Sequence, residues 1–235
     1  TRGLPIANQE RIERLTVRLR GKQPGFAEQM RRELDAPHQS VEVGAGEQVV
    51  VTSRARRPAA PHATLPIADA ALAPYLASSR EIRVDDETVR AKAREIAGDE
   101  RDAWTVATKL SKWTHENLQW KRVDDADAAD TLASREADCL EFSELYVAMA
   151  RSLGLPARIV SGIAHSGGDF GGHAWVEVYA GGWVEIDPTW GTDFVDATHI
   201  RLKEGELFTS AALDLVDLEV VEATRLVPDF QCSPA

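Results

Sequence analysis

The sequence contains few of the residues from which disulfide frameworks and metal sites are built. Among its 235 residues only Cys139 and Cys232 are cysteine, and its six histidines are scattered along the chain. A structural zinc site usually needs closely spaced ligand pairs, such as C-x2-C followed by a second pair. The sequence has no such pattern, so we predict no metal and no other cofactor.

Long apolar runs and an excess of positive charge are also missing. No run of about 18 apolar residues occurs, so we predict no membrane-spanning segment. Lys and Arg number 27 against 38 Asp and Glu, which gives a net charge of −11. Because general nucleic-acid binding requires a basic face, we do not expect nucleic acid as a partner. With 43% apolar residues, the composition is ordinary for a globular protein.

The charge is unevenly distributed, which is explained either by a solvated acidic surface or by two structural units. Residues 1–60 carry a net positive charge, whereas the remainder of the chain is strongly negative. We expect residues 1–60 to be part of an N-terminal β module and residues 61–79 to be a connector. Residues 80–225 are expected to form the larger core, and residues 226–235 a C-terminal tail.

Hydrophobic periodicity predicts where strands and helices lie. Alternating apolar and polar residues predict strands, and apolar residues spaced three or four apart predict helices. The predicted strands cover 15–20, 41–43, 48–52, 157–163, 173–179, 183–187 and 215–221, and the predicted helices cover 85–97, 104–114 and 138–153. We also expect an acidic loop at 124–130 and a glycine-rich loop at 165–172.

Three residues far apart in the sequence suggest a catalytic triad. Cys139 stands at the predicted start of a helix, where the dipole and free N–H groups favour a thiolate and could hold an oxyanion. His173 opens one predicted strand and Asp187 closes the next, so the hairpin turn at Gly181-Gly182 would bring their side chains together. A thiol nucleophile, an imidazole base and a carboxylate that orients the imidazole are what acyl transfer requires.

Each of the three residues also has a simpler interpretation. Cys139 could be a small buried apolar residue, His173 a structural histidine, and Asp187 a cap on the turn at Pro188. A disulfide between Cys139 and Cys232 would block the suggested nucleophile.

In the segments around Cys139, His173 and Asp187, the sequence resembles the bacterial branch of the transglutaminase-like superfamily of papain-related thiol enzymes. The resemblance covers residues 80–205 well and residues 1–60 weakly. It rests on the ordered blocks Asp138–Leu145, Ala148–Arg158, Gly172–Val178, Gly182–Gly191 and Asp196–Ile200, the last of which looks like a segment common in bacterial members. The usual glycine before the Asp-Cys pair of this family is replaced by Ala137.

The resemblance implies an α+β fold, with a papain-like transglutaminase core in which the nucleophile helix packs on an antiparallel sheet, preceded by part of a small β module. It implies Cys139 as the nucleophile, His173 as general base and then general acid, and Asp187 as its orienting partner. Family members often use an upstream aromatic or amide side chain as a second oxyanion donor. Trp120 is the first candidate, with packing as its alternative role, and Gln119 is the second candidate.

The expected substrate is a protein or peptide. Glu141, Trp175 and Trp190 are the candidates for substrate contact, although Glu141 could instead orient the start of the helix. The expected reaction opens a peptide or glutamine amide bond through an acyl-thioester, and the resemblance to bacterial members favours hydrolysis over cross-linking.

Two other functions are weighed against this one. A transglutaminase-like fold without activity could serve as a protein-binding or scaffolding module, and an unreactive Cys139 would support that function. A metal site could be built from Cys139, His173 and either His165 or His115, and tight zinc retention would support it. The ligand spacing and the resemblance both disfavour the metal site.

Overall fold

The computed structural model describes residues 2–33, 36, 38–56, 63–123, 126–204 and 216–225. The predicted tail at 226–235, which contains Cys232, lies outside the described residues. So do the first two residues of the predicted connector and Asp124-Asp125 of the predicted acidic loop.

The described chain contains both helices and strands. In chain order they are β1 (Arg2–Gly3), β2 (Ile12–Gly21), α1 (Phe26–Glu33), β3 (Gln39–Val43), β4 (Gln48–Arg54), α2 (Glu87–Ala97), α3 (Ala103–Asn117), β5 (Gln119–Trp120), α4 (Ala128–Ser134), β6 (Glu136–Ala137), α5 (Cys139–Ser152), β7 (Ala157–Ser166), β8 (Asp169–Tyr179), β9 (Trp183–Ile186), β10 (Ile200–Glu204) and β11 (Val216–Arg225). Short 3-10 turns cover Gln9–Arg11 and Ala70–Leu76.

Helix α5 lies at the centre of the larger unit. Its residues from Glu141 to Ala150 are all buried, and α2, α3 and α4 pack around it. Asp86 and Asp102 cap the starts of α2 and α3 by accepting backbone N–H groups, which explains why these helices begin where they do. A helix covered on all sides has little freedom to move, so the first residue of α5 has a defined position.

A four-stranded antiparallel sheet, here called the core sheet, packs against α5. Its strand order is β10-β7-β8-β9. Val176 of β8 lies opposite Ile186 of β9, and both are fully buried. The predicted strands at 157–163, 173–179 and 183–187 are therefore confirmed, and α5 contacts β7 and β8 directly.

The second sheet, here called the N-terminal sheet, has the strand order β1-β11-β2-β4-β3. The predicted strands at 15–20, 41–43 and 48–52 are confirmed within it. Strand β11 lies between β1 and β2, although it comes last among the described elements. The bounds predicted for the larger unit, 80–225, include this strand, because sequence periodicity does not indicate which sheet a strand joins.

The two sheets meet at strand β10. Gln39 of β3 forms two hydrogen bonds with the backbone of Arg201, since its Nε2 donates to the carbonyl oxygen at 2.9 Å and its Oε1 accepts from N–H at 3.1 Å. Ile12 of β2 shares a buried cluster with Ile163 and Ile200 of the core sheet. The N-terminal sheet thus packs directly against the edge of the core sheet that carries β10.

Two local predictions differ from the structure. The glycine-rich segment 165–172 is a tight hairpin between β7 and β8, because Gly167 and Gly168 take the positive φ angles of 63° and 98° that a short turn demands. The end of the predicted acidic loop is the short helix α4, whose first N–H groups donate to Asp127. Seven residues are too few for a helical period to stand out in the sequence.

The observed elements confirm an α+β protein in which helices surround α5 and antiparallel strands form separate sheets. Among the described residues, no helix is long and apolar enough to cross a membrane.

Candidate active site

Cys139 is the first residue of α5, as predicted. The preceding Asp138 accepts the N–H of Leu140 at 3.0 Å, and the N–H of Asp138 donates to Glu141 Oε2 at 3.2 Å, which completes a capping box. Ser143 donates its hydroxyl to the carbonyl oxygen of Cys139 at 2.8 Å. These contacts fix the backbone around a free, partly exposed thiol at the end of a helix that favours negative charge.

The short strand β5 lies beside this helix start. It pairs in parallel with β6, so that Trp120 lies opposite Ala137, and the N–H of Lys121 donates to the carbonyl oxygen of Ala137 at 2.8 Å. The Trp120 side chain is 65% exposed and lines the cavity in front of Cys139. Gln119 is exposed beside it, but it is not among the described residues that line that cavity.

His173 projects from β8 toward Cys139 and Asp187. Its Nε2 lies 2.7 Å from Asp187 Oδ2, and the Cys139 side chain forms a hydrogen bond with the same ring. The ring stacks on Trp190, with centroids 4.6 Å apart and planes 15° apart. The structure therefore brings together the three residues that the sequence suggested as a triad.

Asp187 is fully buried, and both of its oxygens are used. Oδ1 accepts the N–H groups of Thr189 at 2.8 Å and Trp190 at 3.2 Å, while Oδ2 faces His173. Asp187 therefore has both of the roles that the sequence suggests as alternatives. It contacts His173 across the hairpin, and it caps the turn at Pro188. Because the backbone bonds hold one oxygen, the other is fixed in the direction of the imidazole.

The charges of His173 and Asp187 follow from the contacts that each side chain makes. Burial alone would lower the pKa of His173, but the charge of Asp187, its hydrogen bond and the neighbouring Cys139 side chain raise it to about 9. Burial alone would raise the pKa of Asp187, but the charges and hydrogen bonds of His173 and His199 hold it well below its usual range. At neutral pH the pair is therefore an imidazolium and a carboxylate.

His199 also contacts Asp187, and sequence reasoning gave it no role. Its Nε2 lies 3.2 Å from Asp187 Oδ2, and its Nδ1 lies 3.4 Å from Asp196 Oδ1. Asp196–Ile200 was part of the family resemblance, and this was the one signal that could have drawn attention to the histidine. No periodic pattern links it to residues 173 and 187.

A cavity of about 830 Å³ opens between the start of α5 and strand β8. Glu141 and Trp190, two of the candidates for substrate contact, line it. Glu141 also caps the helix. Burial, as the larger cause, and the neighbouring Asp138 carboxyl raise the pKa of Glu141 to about 7. Trp175, the third candidate, is fully buried and packs edge-on against His199 at 5.2 Å, so it offers no surface to a substrate.

His165 and His115, the other candidates for a metal site, hydrogen-bond to groups outside the triad. His165 Nδ1 contacts Gln9 Oε1 at 3.0 Å, and His115 Nδ1 contacts the carbonyl oxygen of Thr189 at 2.9 Å. Three potential ligand atoms of His173, Asp187 and His199 lie within 4.8 Å of one another, but both histidines already hydrogen-bond to Asp187 through these atoms. We identify none of them as a metal ligand.

Comparison with known proteins agrees with this geometry. Residues 90–188 match the family profile described as the transglutaminase-like superfamily. This segment of the chain belongs to the transglutaminase-like superfamily. Cys139, His173 and Asp187 lie inside the transglutaminase-like segment, whereas His199 lies beyond its end.

Two curated relatives match part of the chain. An uncharacterized protein of Mycobacterium leprae is 32% identical over 114 residues, which make up 41% of this chain and 40% of the relative. A protein-glutamine gamma-glutamyltransferase of Pseudomonas aeruginosa is 28% identical over 123 residues, which make up 42% of this chain and 18% of the relative. The match thus spans less than half the length of either relative.

A solved structure shares the fold over most of the chain. It is a protein of Cytophaga hutchinsonii, provisionally described as a cysteine protease, with a TM-score of 0.57 at 17% identity. The alignment covers 93% of this chain and 89% of that chain. The predicted papain-like transglutaminase core, with α5 packed on an antiparallel sheet, is confirmed.

Proposed function

We propose that this protein is a thiol acyl-transfer enzyme that opens amide bonds of a polypeptide substrate. The observation that carries the proposal is the His173 ring, which lies 2.7 Å from Asp187 and also interacts with the Cys139 side chain. In this arrangement the carboxylate orients the imidazole, and the imidazole activates the thiol. Cys139 is the nucleophile, His173 the general base and acid, and Asp187 the orienting partner.

The reaction proceeds in two steps. The thiolate of Cys139 attacks the carbonyl carbon, and the tetrahedral intermediate collapses as His173 donates a proton to the departing amine or ammonia. This leaves an acyl-thioester on Cys139. His173 then takes a proton from water, which attacks the thioester and releases a carboxylic acid, or from an amine, which forms a new amide.

The oxyanion of the intermediate needs donors near Cys139. The backbone N–H of Cys139, which the Asp138 cap does not engage, is the first proposed donor. The indole N–H of Trp120 is the proposed second donor, because Trp120 lines the same cavity as Cys139 and its N–H can only donate. Gln119 is less suited to this role, since it does not line that cavity.

The edge of strand β8 beside the cavity favours an extended polypeptide as the substrate. Strand β9 pairs with β8 only from Val176 to Tyr179, so within the described chain the segment 171–174 of β8 has a strand partner only on its β7 side. Gly171 and Gly172 of this segment line the cavity without side chains. An unpaired strand edge can bind an extended main chain as an additional strand, and Glu141 and Trp190 are then placed to contact substrate side chains.

Hydrolysis ranks ahead of cross-linking in this proposal. A structural neighbour is provisionally described as a cysteine protease, whereas one sequence relative is named a protein-glutamine gamma-glutamyltransferase. The two outcomes differ only in the acyl acceptor. Incubation with casein and a fluorescent primary amine separates them. Both reactions release ammonia or a peptide amine when the thioester forms, but only transfer to the amine leaves the label covalently on casein, whereas hydrolysis leaves an unlabelled carboxylate.

The proposed triad is tested by alkylation with iodoacetamide, followed by mass spectrometry, in the wild type and in His173→Ala. Cys232 is the control thiol in the same chain. We expect Cys139 to react at about pH 5–6, Cys232 to react only near about pH 8.5, and the difference to vanish in His173→Ala. If both thiols react alike, or Cys139 does not react at all, the scaffolding function takes the place of the enzyme.

A further inference from the structure

His199 lies between two buried carboxylates. Its Nε2 faces Asp187 Oδ2 at 3.2 Å and its Nδ1 faces Asp196 Oδ1 at 3.4 Å, and its side chain is 1% exposed. An ionised carboxylate can only accept hydrogen bonds, so each nitrogen must carry a proton for both contacts to be hydrogen bonds. The geometry therefore calls for a doubly protonated, positively charged ring.

The local electrostatics agree with a charged His199. Burial alone would lower its pKa, but the hydrogen bonds and charges of Asp187 and Asp196 raise it to about 9. Asp196 is itself held as a carboxylate, since Thr198 donates both its N–H at 2.7 Å and its hydroxyl at 2.6 Å to Oδ1.

The remaining neighbours of His199 do not cancel this charge. Trp175 and Trp190 contact the ring edge-on, with centroids 5.2 and 4.7 Å away, and cover it from solvent. His173 is the nearest other titratable ring, with its centroid at 5.7 Å. His38 and Glu185 also interact electrostatically with His199.

Asp187 Oδ2 is therefore shared between two imidazole rings, with His173 at 2.7 Å and His199 at 3.2 Å. We propose that His199 is a positioning residue whose fixed positive charge holds Asp187 and limits how strongly Asp187 retains the proton on His173. A general acid must release its proton during each turnover, so an imidazolium held too tightly would slow protonation of the leaving group.

The N-terminal sheet positions this residue. Ser53 of β4 donates its hydroxyl to the carbonyl oxygen of His199 at 3.2 Å, and Gln39 binds the backbone of Arg201. The N–H of Ala197 donates to the carbonyl oxygen of Ile12 at 3.3 Å. The segment that carries His199 is thus held from the N-terminal sheet, outside the triad itself.

The proposal rests on the proposed triad and is tested by NMR without a substrate. Histidine labelled with ¹³C at Cε1 gives one signal for each ring, and the His173 signal is assigned by its loss in His173→Gln. Its pKa is measured in the wild type and in His199→Gln, which keeps a hydrogen-bond donor but removes the charge. Removing a positive charge this close should raise the pKa of His173 by about one unit or more.

Two further variants make the result decisive. Asp196→Asn leaves His199 in place but weakens its charge, so the pKa of His173 should rise by a smaller amount; this variant decides the question if His199→Gln does not fold. His165→Gln removes a buried histidine that contacts Gln9 rather than Asp187, and it should leave the pKa of His173 unchanged.

A rise in the first two variants supports the proposal. An unchanged or lowered pKa of His173 overturns it, and a lowered value would mean that His199 only holds Asp187 in place. Failure of this proposal can be distinguished from failure of the triad, because alkylation of Cys139 reports on the triad in the unmodified protein. If Cys139 is activated and the pKa of His173 does not rise in the variants, only the role of His199 is wrong.

Discussion

Ser53 of the N-terminal sheet donates a hydrogen bond to the backbone carbonyl of His199, 146 residues further along the chain. Through this contact, a strand far from the thiol in the sequence supports the segment beside Asp187. The N-terminal sheet is therefore part of the structure that shapes the candidate active site.

Loss of this contact should lower stability. Ser53 is 1% exposed, so in Ser53→Ala the carbonyl of His199 loses its partner in a place that water cannot reach. We expect the free energy of unfolding to fall by about 1 kcal/mol, measured by urea denaturation. The matched control is Ser40→Ala on the neighbouring strand β3, where the side chain is exposed and the change should stay within about 0.5 kcal/mol. Equal effects of the two substitutions would contradict this role for Ser53.

Trp120→Phe should separate oxyanion stabilisation from thiol activation. The substitution keeps an aromatic ring in the cavity but removes the indole N–H. We expect acylation of Cys139 by p-nitrophenyl acetate, followed as the release of nitrophenolate, to slow about tenfold or more. Alkylation by iodoacetamide passes through no oxyanion, so its rate should not change. A parallel loss of both reactions would instead mean that Trp120 shapes the site by packing.

Stability should decline at alkaline pH. Folding raises the pKa values of His173 and His199 from 6.5 to about 9. A group whose pKa is raised on folding contributes its full stabilisation when the pH is below its pKa in the unfolded chain. This contribution is lost as the pH rises through the folded value. Each shift corresponds to roughly 3 kcal/mol, as an upper bound because the two rings share one carboxylate. We therefore expect the thermal midpoint to fall between about pH 7 and about pH 9.5.

Circular dichroism across this pH range measures the decline. His199→Gln removes one of the two groups with a raised pKa, so the midpoint should fall about half as steeply as in the wild type. A decline of unchanged steepness in the variant would show that His199 does not carry an extra proton in the folded state.

A methyl group at Gly162 should disturb the support of the site. A Cβ at this position would lie 2.2 Å from the carbonyl oxygen of Ile200 and 2.7 Å from the Trp175 ring. Because backbone and a buried ring cannot both move away, we expect Gly162→Ala to cost about 3 kcal/mol in urea denaturation. At Gly171 on the neighbouring strand a Cβ meets no atom within 4 Å, so Gly171→Ala is the control and should change stability far less.

The parts of the site that were predicted correctly had strong local signals. The Gly154-Leu155-Pro156 stop and the buried stripe defined α5, which placed Cys139 at a helix start. The Gly181-Gly182 turn set the register of β8 and β9, which placed Asp187 near His173. In both cases the deciding information lay within about 17 residues of the side chain concerned.

Other features depend on contacts that no local pattern records. Strand β11 was predicted as a strand, but its place between β1 and β2 follows from pairing with residues about 200 positions away. The position of His199 is set by Ser53 and by Asp187, so its segment showed no period of its own. The hairpin at Gly167-Gly168 was predicted as a loop, because glycine favours both structures equally.

The place of β11 has a consequence for synthesis of the chain. The N-terminal sheet cannot be completed until β11 has left the ribosome, yet β2, β3 and β4 emerge first and must wait for it. During that interval β2 has one unpaired edge, and an unpaired edge can recruit other nascent chains. Translation speed over residues 55–225 thus bears on how much of this protein reaches its native state.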